Sequence, residues 1–379
     1  MCKIFLTIFF IIYFSTVGCH PSLDGTRGGP PSPSSPPNRN PATPPHEFAS
    51  NPLLQIQLLN HLRTKHNYTA YPLQEMSLLL QDVNFNPLHN SMIYIHGFTQ
   101  NATDHCAQLI SSAFLHLENY NVLMVDLYPL FSMKFFQSVK AVSRVGETLG
   151  TQLHTLNNLG CTLERLILVG HSLGAHTAGH AGKQFQRLSG TKLPLIIGLD
   201  PAGPCYGAVP SQDRLDKGDA TFVQAIHTNA GGFGLMKPVA HVDFYFNGGR
   251  VQPMNTPKGS IALTIIISHE RSVQFMYYAT IYPENFVGVE CDSVEDVEMR
   301  NCKGKRTATF GVLADPRVQG IFYVKTSDCP PFFEAKTNKG LEVKTSNNDN
   351  NKGLKALLFK GKKFIDNVTN FLQPLKGIV

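Results

Sequence analysis

The chain has 379 residues, of which 42% are hydrophobic, and a formal net charge of +6 at pH 7. This length allows one large hydrophobic core with additional segments. Residues 335–379 contain nine lysines and three acidic residues, so this tail alone carries a charge of +6. The rest of the chain is balanced, which excludes a basic nucleic-acid-binding face on the main domain, and we expect no nucleic acid among the partners.

The N-terminus has the pattern of a secretory signal. Lys3 precedes an apolar run at 4–14, and small residues follow at 15–18. This run is well short of the roughly 20 apolar residues of a membrane-spanning helix. We therefore predict a signal peptide over residues 1–19 and a secreted, extracellular protein. Residues 20–47 are rich in Pro and Ser, which predicts an extended linker.

Cysteine usage agrees with secretion. Beyond the signal peptide, the chain contains Cys106, Cys161, Cys205, Cys291, Cys302 and Cys329. An even number suits disulfides in an oxidising compartment, and the absence of a CxxC pair argues against a zinc site. Cys291 and Cys302 are close in sequence and are predicted to form a local bridge. Sequons at Asn67, Asn101 and Asn367 predict glycosylation of a secreted chain.

Strand and helix patterns alternate through the middle of the chain. Apolar runs at 91–95 and 121–125 predict buried strands, and residues 138–156 have apolar residues at helical spacing. Two further apolar runs, at 166–169 and 195–199, predict the next strands. This order indicates an α/β domain with a parallel sheet, whose reactive groups collect at the carboxyl ends of the strands.

A G-x-S-x-G pentapeptide, Gly170–Gly174, follows one of these strands and precedes a segment of small residues. Strand, sharp turn and helix in this order would expose the hydroxyl of Ser172 at a helix N-terminus, as a nucleophile requires. The alternative is an ordinary strand-to-helix turn that contains a serine.

A serine nucleophile needs a histidine to take its proton and an acid to orient that histidine. Asp200 ends the next apolar strand and is the candidate acid, with a strand-end cap as its alternative role. Three histidines follow it. His227 and His241 lie in strand-like patterns that favour structural roles. His269 is the candidate base, because we expect it at the exit of an apolar strand, where a loop can place it over Ser172.

Acyl transfer also needs donors for the oxyanion. The N–H of Leu173 directly follows the nucleophile. The segment Tyr94–Phe98 ends an earlier strand, and its His-Gly pair permits a tight turn, so the N–H of Phe98 is the second candidate.

Several motifs together resemble the pancreatic-lipase-like α/β hydrolases. In the family's order they are IHGF at 95–98, GHSLGAH at 170–176, GLDPAGP at 198–204, RLDKGDATFVQAIHT at 214–228, HVDFYFNGG at 241–249 and SHERSVQFMYY at 268–278. The resemblance implies an α/β-hydrolase fold with a mostly parallel central sheet, in a single catalytic domain over residues 48–333. It implies the triad Ser172, Asp200 and His269, with Phe98 and Leu173 as oxyanion donors.

Departures from the family pattern bear on the substrate. Family lipases carry a long lid bracketed by two cysteines before the catalytic histidine, whereas residues 250–268 are short and contain no cysteine. The loop at 228–240 is also short. Both features resemble the insect-type phospholipase A1 members, which act on phospholipids. The alternatives are a triacylglycerol lipase or broad carboxylesterase, and a non-enzymatic, yolk-protein-like lipid-binding relative.

The resemblance also bears on partners and metals. The family's C-terminal β-sandwich has no counterpart here, so we expect no colipase. Some relatives hold a structural calcium where this chain has Arg214, Asp216 and Asp219, but an acidic position of that site is Ser211. We therefore predict no metal and no cofactor, and Asp216 and Asp219 have the alternative role of capping the next element.

The basic tail at 334–379 has apolar residues on one face of a helix over 353–373 and lysines opposite. An amphipathic basic helix of this kind predicts contact with an anionic lipid interface. The alternatives are a helix docked on the domain and a disordered tail.

Overall fold

The computed structural model describes residues 54–59, 68–117, 119–253, 261–304 and 306–333. The predicted signal peptide, linker and basic tail lie outside these residues. Within them, no helix combines the length and apolar character that crossing a membrane requires.

The centre of the fold is one eleven-stranded sheet with the order β10-β9-β11-β8-β7-β6-β5-β3-β4-β1-β2. The strands are β1 (Gln55–Leu59), β2 (Tyr68–Pro72), β3 (Asn90–Ile95), β4 (Tyr120–Asp126), β5 (Leu166–His171), β6 (Leu193–Leu199), β7 (Ala220–His227), β8 (Val242–Phe246), β9 (Val287–Cys291), β10 (Thr307–Thr309) and β11 (Gly320–Val324). In the order of the sheet, the seven neighbouring strands from β11 through β8, β7, β6, β5 and β3 to β4 are all parallel. Strands β9 and β10 on one side, and β1 and β2 on the other, pair antiparallel. The predicted mostly parallel sheet is confirmed.

Helices cover both faces of the sheet. They are α1 (His105–Leu115), α2 (Tyr128–Phe131), α3 (Phe135–Asn158), α4 (Leu173–Ser189), α5 (Ile261–Ile281) and α6 (Val294–Glu298), with 3₁₀ segments at Leu73–Gln81, Ser211–Asp213 and Lys217–Asp219. One apolar core joins the sheet to α3 and α4, and a second joins it to α1 and α5. The strands are apolar without interruption because alternate side chains enter opposite cores: Ile93 belongs to the first and Met92 to the second.

Small residues bring α3 and α4 into close contact. A Cβ on Gly146 would lie 2.6 Å from the carbonyl oxygen of Thr177, and one on Gly150 would lie 2.4 Å from that of Ala181. These glycines let the two backbones approach, so α4 is held firmly against its neighbour. Since α4 begins directly after Ser172, this packing also fixes the turn before it.

The expected strand before His269 is wrong. Residue 269 lies inside helix α5, which runs from Ile261 to Ile281. The apolar run at 263–267 is short, and periodicity cannot distinguish a buried helix segment from a strand over such a length. The helix packs beside α1 and the sheet, and it presents His269 at the edge where the parallel strands end.

The predicted bridge between Cys291 and Cys302 is confirmed. Cys106 and Cys161 are buried thiols and Cys329 is an exposed one, so the even number of cysteines does not mean that each of them forms a disulfide.

Candidate active site

The turn between β5 and α4 holds Ser172 in a strained conformation. Its φ of 56° lies in the left-handed region, which a residue with a side chain rarely adopts. A Cβ on Gly170 would lie 2.3 Å from the carbonyl oxygen of Gly174, and one on Gly174 would lie 2.1 Å from that of Ile95. Both glycines are therefore required for the tight turn. The Ser172 amide donates to the Leu199 carbonyl at 3.0 Å, which helps the surrounding structure maintain the strain.

Asp200 and His269 form a buried hydrogen-bonded pair. The Oδ2 atom of Asp200 lies 2.5 Å from Nδ1 of His269. The other carboxylate oxygen accepts from the amides of Thr228 at 2.8 Å and Asn229 at 3.0 Å. Backbone donors thus fix the carboxylate, and an Nδ1–H bond to it directs the Nε2 lone pair of His269 away from Asp200.

The structure brings Ser172, Asp200 and His269 to the same edge of the sheet. Ser172 follows β5 and Asp200 follows β6, the neighbouring strand. The ring of His269 lies against that of His171, the residue before Ser172, with 4.7 Å between ring centroids. On another side, Phe233 makes an edge contact with His269 at 5.6 Å. Both Ser172 and His269 are 7% exposed, so the hydroxyl and the imidazole lie in a site largely shielded from water.

The Leu173 amide lies at the N-terminus of α4, where the first N–H groups of a helix have no intrahelical acceptor. This 17-residue helix also directs the positive end of its dipole toward the turn. The predicted donor therefore has a geometry that favours binding of an anion.

The Phe98 amide lies in a loop whose other amides are engaged. The N–H of Gly97 donates to the Gln100 side chain at 2.8 Å, that of Thr99 to the Phe131 carbonyl at 2.8 Å, and that of Gln100 to the Gly97 carbonyl at 3.2 Å. None of the hydrogen bonds found among the described residues uses the Phe98 N–H. The loop thus holds this amide firmly and leaves it available.

The other two downstream histidines have structural surroundings, as predicted. His227 is stacked on Tyr245 with ring centroids 4.2 Å apart, and its Nε2 lies 2.9 Å from Oδ1 of Asp243. Its Nδ1 lies 3.0 Å from the Leu235 carbonyl. His241 accepts the Val223 amide through Nδ1 at 3.0 Å, and burial lowers its pKa.

Sequence reasoning missed two buried polar residues of the site, Gln100 and His171. The Gln100 oxygen lies 2.8 Å from Nδ1 of His171. His171 belongs to the pentapeptide, but Gln100 is distant from it in sequence and no motif marks the pair. Only the pairing of β3 with β5 brings the two together.

The cluster at Asp216 and Asp219 has the predicted capping role. Asp216 accepts the Gly218 amide at 3.0 Å, and Asp219 accepts the Asp216 amide at 2.8 Å. The Lys183 ammonium group donates to Asp219 and to the Arg214 carbonyl, each at 2.7 Å. Among the described residues, no group of three or more His, Cys, Asp or Glu side chains has an arrangement that could hold a metal ion.

Exposed apolar side chains follow several of the strands that end at this edge. We call them the apolar rim: Tyr128, Met133 and Phe136 after β4, Met236 after β7, and Val251 after β8. The segment after β4 contacts the Phe98 loop, because the rings of Phe98 and Phe135 lie 5.2 Å apart. Exposed apolar side chains in these connections are suited to contact with an apolar partner.

The parallel sheet, the strained serine turn and the buried acid–histidine pair define an α/β-hydrolase fold. A sequence model of the family described as "Lipase" matches residues 30–332. The chain therefore belongs to the lipase family, whose fold and enzyme class are those of carboxylic ester hydrolases.

Named relatives fall into several lipase groups. The chain is 31% identical to pancreatic lipase-related protein 2 of Cavia porcellus over 250 residues, which are 64% of this chain and 55% of the relative. It is 29% identical to phospholipase A1 of Vespula squamosa over 299 residues, 76% of this chain and 97% of the relative. It is 31% identical to pancreatic triacylglycerol lipase of Mus musculus over 278 residues, 66% of this chain and 59% of the relative. The chain thus spans about half the length of the pancreatic lipase-related proteins it matches.

Proposed function

We propose that this protein hydrolyses carboxylic esters of lipids with Ser172 as the nucleophile, His269 as the general base and Asp200 as the orienting acid. The buried hydrogen bond between Asp200 and His269, beside the strained Ser172 turn, is the observation that carries this proposal. Together they supply the two requirements of serine hydrolysis, an oriented imidazole and a hydroxyl held on a sharp turn.

In the first half of the reaction, the Ser172 oxygen attacks the ester carbonyl carbon while Nε2 of His269 takes the hydroxyl proton. The carbonyl oxygen becomes an oxyanion, and the amides of Phe98 and Leu173 stabilise it. As the tetrahedral intermediate collapses, the bond to the alcohol breaks, and His269 returns the proton to the departing alcohol. The acyl group remains on Ser172.

In the second half, a water molecule attacks the acyl carbon while His269 takes a proton from it. Collapse of the second tetrahedral intermediate breaks the bond to Ser172, whose oxygen recovers the proton, and the fatty acid leaves. The Asp200 carboxylate stabilises the imidazolium in both halves. No metal or cofactor takes part in this sequence.

The favoured substrate is a glycerophospholipid, cleaved at the sn-1 ester as by a phospholipase A1. The apolar rim supports a lipid substrate, because aggregated lipid presents an apolar surface to it. The short, cysteine-free stretch at 250–268 supports a reduced lid. The match to nearly the full length of the Vespula squamosa phospholipase A1 agrees with this choice.

Two alternatives stand beside this proposal. A triacylglycerol lipase or broad carboxylesterase is favoured by the similarity to the mouse pancreatic enzyme. A lipid-binding protein without activity, like the yolk-protein relatives, is the second. The buried Asp200–His269 pair argues against it, because a protein that only binds lipid has no need for an oriented imidazole beside a strained serine.

The first experiment uses the purified protein with phosphatidylcholine labelled distinguishably at sn-1 and sn-2, beside a triglyceride emulsion. Release of the sn-1 acid with little triglyceride turnover is the expected result. Comparable triglyceride turnover would identify a lipase instead. Labelling by a fluorophosphonate, lost in Ser172→Ala, tests the nucleophile, and a protein that only binds lipid would not be labelled at all.

We further propose that the protein is secreted and that its basic tail contacts anionic lipid. Truncation after Glu334 is expected to leave hydrolysis of a short soluble ester unchanged and to weaken binding to vesicles that contain phosphatidylserine. Unchanged vesicle binding would contradict the role of the tail. We expect no colipase, so adding colipase should leave activity on a lipid emulsion unaltered.

A further inference from the structure

We propose that Gln100 is a positioning residue for the oxyanion-binding loop, through one side-chain oxygen that accepts hydrogen bonds from Gly97 and from His171. This proposal rests on the proposed function, because it concerns how the Phe98 amide is held for that reaction. Gln100 follows Phe98 by two residues and is itself 4% exposed.

The two hydrogen bonds determine the chemistry of both partners. The Oε1 atom of Gln100 lies 2.8 Å from the Gly97 nitrogen and 2.8 Å from Nδ1 of His171. A backbone N–H can only donate, so the Gln100 atom that faces Gly97 must be the oxygen and not the amide nitrogen. A carboxamide oxygen can only accept, so Nδ1 of His171 must carry a proton. The tautomer of His171 therefore follows from the loop.

The neutral state of His171 suits its place beside His269. Burial holds the pKa of the His171 imidazole well below its usual value, so the ring remains uncharged. Its ring is tilted by 41° against that of His269, with centroids 4.7 Å apart. A second charged imidazole at this distance would oppose formation of the imidazolium on His269. The hydrogen bond that His171 donates to Gln100 fixes the orientation of a neutral ring there.

The contact between the Gly97 loop and the Ser172 turn is tight enough to transmit small movements. A Cβ on Gly97 would lie 2.9 Å from Cβ of Ser172 and 3.1 Å from Nδ1 of His171. The loop backbone thus lies directly against the nucleophile turn. The backbone N–H of Gln100 also donates to the Gly97 carbonyl at 3.2 Å. The backbone and the side chain of Gln100 therefore clamp Gly97 together. The Gly97 carbonyl and the Phe98 N–H belong to the same peptide unit. The clamp on Gly97 therefore also fixes the position of the Phe98 N–H relative to Ser172.

Removal of the Gln100 oxygen should affect the transition state more than substrate binding. The Phe98 amide is needed where the oxyanion develops, and a shift of about 1 Å in a positioned group can lower a rate about 100-fold. In Gln100→Met, a side chain of similar size fills the space without an acceptor. We expect kcat on a short soluble ester to fall about 10- to 100-fold and KM to change less than about threefold.

Binding of a transition-state analogue tests the positioning of the oxyanion loop directly. Inhibition by a trifluoromethyl ketone, which adds the serine and presents an oxyanion, should weaken in Gln100→Met by the same factor as kcat/KM falls. Gln108→Ala is the matched control: this side chain bonds the nearby Thr103 carbonyl at 2.8 Å, outside the clamp, and kcat should not change.

The outcomes are distinguishable. Failure of the wild-type protein to hydrolyse any ester would overturn the proposed function and with it this inference. An active wild type with equal kcat in Gln100→Met would overturn the role of Gln100 alone. Unchanged inhibition of Gln100→Met by the trifluoromethyl ketone, while kcat/KM falls, would likewise overturn it, since stabilisation of the oxyanion would not be what Gln100 affects. Thermal unfolding of each variant, measured beside the kinetics, separates loss of fold from loss of kcat.

Discussion

Two buried histidine–aspartate pairs lie among the described residues, and they differ in what the second ring nitrogen does. His227 is bonded to Asp243 through Nε2 at 2.9 Å and to the Leu235 carbonyl through Nδ1 at 3.0 Å. Both of its nitrogens lie within hydrogen-bond distance of protein oxygens, so both are engaged. In His269, the ring hydrogen bond found among the described residues is the one from Nδ1 to Asp200. A buried pair therefore favours a catalytic role only when one ring nitrogen stays unengaged.

The partner carboxylates also differ. Asp243 accepts the amides of Val239 and Ala240 at 2.9 and 3.0 Å, so it ties a loop to the start of β8. Asp200 accepts the amides of two residues that follow β7. Both carboxylates are fixed by backbone donors, but only Asp200 adjoins the serine turn. We infer a structural role for the first pair and a catalytic role for the second.

The largest expected effect separates the two histidines. His269→Ala should lower kcat on a short ester by about 10⁵-fold, because the base is lost. His227→Ala should leave the kcat of the folded protein within about tenfold but lower the free energy of unfolding by about 3–5 kcal/mol, because it leaves a buried carboxylate unpaired. Steady-state kinetics and urea unfolding on both variants check this. A loss of kcat in His227→Ala as large as in His269→Ala would contradict the division of roles.

A smaller effect tests the position of the Asp200 carboxylate. A Cβ on Gly234 would lie 2.4 Å from Oδ1 of Asp200, so Gly234→Ala should displace the carboxylate from His269 and lower kcat about 100-fold. Gly207→Ala is the matched control, since the nearest atom to a Cβ there lies 3.9 Å away. Kinetics that are alike in the two variants would show that His269 does not depend on this carboxylate.

The smallest effect concerns His176, a buried histidine whose ring contacts are neutral. It accepts the Leu215 amide at 3.1 Å and faces the Ala202 carbonyl at 2.9 Å, and burial lowers its pKa to about 3. Because the unfolded chain takes up this proton near pH 6.5, the contribution of neutral His176 is complete above that pH and is lost as the pH falls. The free energy of unfolding should decrease by about 1.4 kcal/mol per pH unit from this residue between pH 6 and pH 4.

Urea unfolding of wild type and His176→Gln across that range checks the prediction. The amide of Gln can replace both hydrogen bonds without taking up a proton, so the variant should show a flatter pH dependence. An unchanged slope would show that His176 does not remain neutral in the folded protein.

The prediction of the fold succeeded where neighbouring residues decide the structure. The four predicted parallel strands correspond to β3, β4, β5 and β6, because a strand buried on both faces needs an apolar run that is visible in the sequence. The antiparallel strands β1 and β2 were not predicted. Their side chains alternate less clearly, and their place in the sheet depends on pairing with β4, which lies far along the chain.

The sequence by itself determined the serine turn and the Cys291–Cys302 bridge, since each depends on residue types at short spacing, and the family resemblance supplied the order of acid and histidine. Tertiary structure alone decided that His269 lies in a helix, that His227 pairs with Asp243, and that Gln100 reaches His171. The physical reason is that these contacts join segments up to 71 residues apart, whose meeting depends on the order of strands in the sheet.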